Sequence, residues 1–210
     1  IMKKKKLLKF VAVATALLVF CVSPVYAYRR VTLNKSNYAG QLDRIDGCWL
    51  ATARNFVVAQ QSDNGPDSER TVMKQYDEVC KDVKGTVNDV QADSLDDLIT
   101  AMELFDEMLG YGEHYGDYVG RNGQKDFDFI FDELAEYANP VAISLGSLPG
   151  SNSNIGHDVL LTGVDDGTNF TEFVRIYDNE EVIWMQFYDL QNGKSAELGN
   201  RRWIATTWCK

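Results

Sequence analysis

The stretch DGCWLATARNFVVAQ, residues 46–60, sets a cysteine beside a tryptophan just after a glycine. From Cys48 to Gln61 there is no glycine or proline, and Trp49, Ala53, Phe56, Val57 and Gln60 recur at helical spacing. The spacing predicts a helix that Cys48 opens, with Asp46 and Gly47 as its cap region. A thiol there lies at the positive end of the helix macrodipole, which favours the thiolate, the form of sulfur that attacks carbonyl carbon. The same position also suits a buried structural thiol, since free cysteine is among the most buried residue types. A nucleophile of this kind needs a base.

The chain has two histidines, His114 and His157. His157 begins the β-rich run HDVLLTGV directly after SLPGSNSNIG, so a sheet would hold its imidazole at the edge of a flexible loop. His114 falls within GYGEHYGDYVGRNGQ, residues 110–124, which reads as a Gly- and Tyr-rich loop, and suits a surface histidine. A cysteine and histidine pair needs a third group to orient the ring and stabilise the imidazolium. Asp178, at the end of FVRIYD, lies one β-hairpin after the strand of His157, so antiparallel pairing would bring the two side chains together. Asn179 is the alternative third member, and a plain turn at Asp178–Asn179 is the structural reading.

The elements that would position these groups fall into two halves. After the helix of Cys48, SDNGPDSE breaks the pattern, and a second helix is predicted from Ser68 to Val83 with Val72, Met73, Tyr76, Val79 and Cys80 on one face. A third is announced by the capping box of Ser94 and Asp97 and the stripe Leu95, Leu98, Ile99, Met102, Phe105 and Leu109. A fourth runs from Phe127 to Tyr137 and ends before Asn139-Pro140. Beyond Pro140 the runs VAISL, HDVLLTGV, FTEFVRIYD, EVIWMQFYD and RWIATTW read as strands separated by turn formers. Helices first and antiparallel strands second predict one α+β domain over residues 28–210.

Residues 1–27 read as a signal peptide: Lys3 to Lys6 form a positive n-region, Phe10 to Val22 an apolar h-region, and Val25, Tyr26 and Ala27 a cleavage site. The apolar run is shorter than the roughly 20 residues a spanning helix needs. An uncleaved N-terminal anchor is the alternative, and a lipoprotein fits poorly because the bulky Phe20 precedes Cys21. Cleavage after Ala27 takes five of the 21 basic residues and none of the 31 acids, so 16 bases and 31 acids give −15. Such a surface argues against nucleic acid and anionic membranes as partners. Cys48, Cys80 and Cys209 would survive. Outside the cytosol a Cys80–Cys209 staple leaving Cys48 free is one expectation, and three reduced thiols the other. No metal-ligand spacing, calcium loop or phosphate-binding glycine loop is present, and no cofactor is expected.

Taken in order, Gln41 with DGCWLATA, then NPVAISL, GHDVLLTGVDD and VRIYDNE, resemble a papain-like cysteine peptidase, nearest to the compact bacterial papain-fold proteins grouped with bacteriocin-leader-processing peptidases. The resemblance covers residues 41–188. It implies a papain-like fold with the nucleophile at a helix start, Cys48 as nucleophile, His157 as general base and acid, and Asp178 as the orienting residue. It further implies that Gln41 donates its side-chain amide to the oxyanion hole beside the Cys48 N–H. Three departures stand out. Gln41 precedes Cys48 by seven residues, one more than the family pattern, so an extra residue must bulge. Asp43 and Asp46 would oppose a thiolate if they point inward. The third residue is Asp where plant-type papains use Asn. Cell-wall amidases of the same broad fold carry DCSG, where this chain has Trp49 after the cysteine.

The expected function is that of a secreted bacterial cysteine peptidase acting on a peptide or protein through a thioester. The alternative is a non-catalytic papain-fold module that binds a protein partner at the cell surface through the Tyr-rich loop, residues 111–118.

Overall fold

The computed structural model describes residues 29–35, 38–42, 47–60, 65–88, 91–92, 94–109, 117–146, 156–167 and 171–210. The leader, His114, Asp43, Asp46 and most of the tyrosine-rich loop lie outside the described residues. Strand β1 spans Arg30–Thr32, followed by helices α1 (Cys48–Ala59), α2 (Glu69–Lys84) and α3 (Leu95–Met108). Then come β2 (Tyr118–Asn122), α4 (Phe127–Ala135), β3 (Val141–Leu145), β4 (His157–Asp165), β5 (Phe173–Asp178), β6 (Glu181–Gln186), α5 (Phe187–Gln191) and β7 (Trp203–Cys209). The architecture is α+β, with helices towards the N-terminus and an antiparallel sheet towards the C-terminus.

Local chemistry sets the helix starts. The Ser68 side chain accepts from Thr71 N, that of Ser94 from Asp97 N and that of Asp126 from Phe129 N, so each satisfies an amide that a helix start leaves open. Gly85, at φ 71, ends α2 in the left-handed region that glycine enters freely.

The sheet order is β2-β7-β3-β4-β5-β6, and every pairing is antiparallel. Long β4 takes β5 on one edge. On its other edge it takes β3 along His157–Leu161 and β1 along Gly163–Asp165. Both faces are covered. Ala142 and Leu160 face the core formed with α1, α2 and α3, around Trp49, Phe56, Tyr76, Met102 and Phe105. Their neighbours Val141, Ile143, Val159 and Leu161 face a second core with Phe127, Ile130, Phe131, Phe187 and Trp203. This two-sided cover explains why β4 is an almost unbroken apolar run.

Helix α1 is central, and all of its residues are buried, not only the predicted face. Trp49 and Phe56 are 0 % exposed, and deleting a side chain of that size from such a core costs about 3–5 kcal/mol. The buried Arg54 guanidinium pairs with Asp67 and donates to Gln75 Oε1 at 2.8 Å, which compensates its charge. No helix among the described residues is long and apolar enough to cross a membrane.

Three elements depart from the sequence expectation. Residues 118–122, read as loop, form β2, because β7 supplies a partner for each of them, from Tyr118↔Cys209 to Asn122↔Ala205. Gly120 lets this strand approach α3 closely, since a Cβ there would lie 2.9 Å from Ile99 Cδ1. Residues 30–32, which the sequence does not mark as a strand, pair with β4, and the run FYD turns into the short helix α5. Cys48, Cys80 and Cys209 are all buried and none of the three is in a disulfide, so the structure has no Cys80–Cys209 staple.

Candidate active site

Helix α1 delivers Cys48 as its first residue, 6 % exposed, behind Gly47. Gly47 offers no side chain to cap the first turn, and no acidic residue lies in that turn, so nothing within the helix's own first turn offsets its positive end at the sulfur. The opposing wall is the sheet. His157 opens β4 and Asp178 closes β5, and the imidazole Nε2 lies 2.8 Å from both Oδ1 and Oδ2 of Asp178. Their side chains are 16 % and 17 % exposed. Cys48 is the other group that acts on the charge of the ring, and with Nε2 taken by Asp178 the nitrogen open to the sulfur is Nδ1.

The electrostatics of the ring follow from these neighbours. Burial pulls the His157 pKa down, but the hydrogen bonds to Asp178 and Cys48, with the charges on both, outweigh it and raise the ring to about 10. The ring therefore holds its proton through neutral pH, beside a sulfur at a helix N-terminus. Such a pair suits a thiol that attacks as an anion and a base that hands its proton to a leaving group.

Several groups fix the spacing between helix and sheet. Thr52, one turn into α1, donates from Oγ1 to the carbonyl of Asp158 at 2.8 Å, which ties the helix to the residue beside His157. Burial raises the Asp158 carboxyl above the ordinary carboxylate range, and Ser144 Oγ donates to its Oδ1 at 2.5 Å. The backbone just before the nucleophile is also clamped. Asn55 Oδ1 accepts from Ala39 N at 2.9 Å while its Nδ2 donates to Ala39 O at 2.7 Å, and Tyr76 Oη donates to Gly40 O at 2.8 Å.

Gln41 lines one cavity with Cys48, Thr52, Asn55, Asp158 and Asp178. The residue after it, Leu42, adopts φ 56, a left-handed conformation uncommon for a branched side chain. The chain thus turns sharply within the long interval between Gln41 and Cys48. Asn179 makes no hydrogen bond to His157; its Oδ1 accepts from Gln41 N at 2.9 Å. Of the two alternatives for the third member, the ring takes Asp178.

The structure therefore brings Gln41, Cys48, His157 and Asp178 to one place. Asn55 and Thr52 were not singled out in the sequence, and Tyr76 was read only as part of the apolar face of the second helix. The adjacent polar pair Arg54–Asn55 inside an otherwise apolar helix was the available signal for the first of them. Among the described residues no group of His, Cys, Asp or Glu could hold a metal ion. No protein-family model matches the chain, and no curated protein is detectably similar to it in sequence.

Proposed function

We propose that this protein is an exported cysteine peptidase of papain-like fold, cleaving peptide bonds through Cys48, His157 and Asp178. The observation that carries the reading is the ring of His157, held by the Asp178 carboxylate at 2.8 Å and within electrostatic reach of the Cys48 thiol. The setting supports it: a buried helix opens on the cysteine and packs across an antiparallel sheet that delivers the other two groups from adjacent strands.

In the proposed reaction the Cys48 sulfur, its proton held by His157, attacks the scissile carbonyl carbon. Charge develops on the carbonyl oxygen, where the Cys48 N–H and the Gln41 side-chain amide donate to it. The tetrahedral adduct collapses as the C–N bond breaks, and the amine leaves with the proton from His157. Water then attacks the thioester, His157 takes its proton, and the acid product departs with the sulfur released. Asp178 keeps the ring oriented and stabilises its cationic form throughout. The leader sequence supports action outside the cytosol, on a peptide or protein substrate.

The test is the intact mass of the protein after brief exposure to an epoxysuccinyl peptide analogue. One adduct at Cys48 in the wild type, lost in Cys48→Ala and in His157→Ala, is the expected outcome. Absence of labelling in folded wild type, or equal labelling with and without His157, would instead favour a papain-fold binding module.

A further inference from the structure

The geometry points to Asn179 as a positioning residue that holds Gln41 in register with Asp178, so that one β-turn sets both the ring and the oxyanion donor. The inference rests on the acyl-transfer reading above. Asn179 and Glu180 form the two-residue turn between β5 and β6, with φ 43 and 72, while Asp178 pairs with Glu181. Positive φ at both central residues is the turn whose twist matches a hairpin, and Asn tolerates it better than most side chains. Asp178 thus precedes the turn and faces His157, and the very next side chain accepts the Gln41 backbone N–H.

The contact is tight. A Cβ on Gly40 would lie 2.7 Å from Glu180 Cγ and 2.9 Å from Asn179 Oδ1, so any larger residue there would have to push these two side chains of the turn aside. Asn55 and Tyr76 grip Ala39 and Gly40, but among the described residues only Asn179 holds the backbone of Gln41 itself. Directly beyond, Leu42 at φ 56 turns the chain away. Without the Asn179 acceptor, the Gln41 backbone is free to move at the point where its side chain must meet an oxygen, and a donor displaced by about 1 Å loses much of its effect.

The experiment separates two reactions of Cys48. Iodoacetamide alkylates the sulfur by displacing iodide and develops no oxyanion. p-Nitrophenyl acetate acylates it: the S–C bond forms, negative charge passes through the carbonyl oxygen, and the C–O bond breaks to release p-nitrophenolate. In Asn179→Gly, which keeps the turn's backbone, alkylation and its pH profile are expected to match wild type, while the acylation burst slows about tenfold or more. Asn179→Asp, which retains the acceptor, restores the rate. Added to Gln41→Ala, the Asn179→Gly change slows acylation no further.

A wild-type rate of acylation in Asn179→Gly overturns the assignment. So does equal slowing of both reactions, or full additivity with Gln41→Ala. Alkylation that is indifferent to His157 overturns the acyl-transfer reading, and this assignment with it.

Discussion

Replacing Asp178 by Asn tests the electrostatic core of the site without changing its shape. The carboxylate contributes a hydrogen bond to a charged ring, an interaction worth about 1.5–3 kcal/mol. One pKa unit corresponds to about 1.4 kcal/mol, so its loss should lower His157 by about 1–2 units, from about 10 to roughly 8–9. Little solvent screening dilutes this, since the two side chains are 16 % and 17 % exposed. Burial works in the same direction once the carboxylate charge is gone. The chain's two histidines make the measurement direct: ring C–H resonances of 13C-labelled protein, followed from pH 5 to 11, give two signals, and His114→Gln assigns them. A wild-type His157 that titrates near the ordinary histidine value of about 6.5, or an unchanged value in Asp178→Asn, would refute the account of the ring's environment.

Two further outcomes follow from the same structure. Because the folded pKa of His157 lies above its unfolded one, the stabilisation it supplies is complete below about 6.5 and is lost as pH rises to about 10. Urea unfolding should accordingly show stability falling between pH 7 and 10 more steeply in wild type than in Asp178→Asn; parallel curves would contradict this. Gly163→Ala places a Cβ 2.8 Å from Val31 O, between β4 and β1, and should cost about 1–3 kcal/mol in urea unfolding, with faster amide exchange in residues 30–32. An unchanged midpoint would show that β1 adapts freely.

The sequence carried local information well and pairing information poorly. Ser94 with Asp97, and the apolar stripe behind them, placed α3 within a residue or two because a helix satisfies its own backbone. Cys48, His157 and Asp178 were legible for a related reason: each stands at the end of an element whose type the neighbouring residues fix. β2 was not, since Tyr118–Asn122 is a strand only because β7 lies beside it, and nothing in GDYVGRN names that partner. Nor was the clamp before Gln41. Asn55, Tyr76 and Asn179 come from a helix, a second helix and a hairpin turn, and their meeting at residues 39–41 is a property of the assembled core.

The place of β7 has a consequence for the order in which the molecule can form. The hairpin that bears His157 and Asp178 joins neighbours in sequence, so base and orienting acid can meet early. β7 enters between β2 and β3, both of which precede it in the chain, and β2 has no other strand partner among the described residues. Sheet closure must therefore wait until residue 209 has been made, and long-range pairing of this kind folds slowly. Cys80 and Cys209, drawn from distant parts of the chain, meet only then in the core that also buries Trp49 beside the nucleophile. Until β7 is in place no strand joins β2 to β3, and the sheet on which the helix of Cys48 packs stays open at that edge.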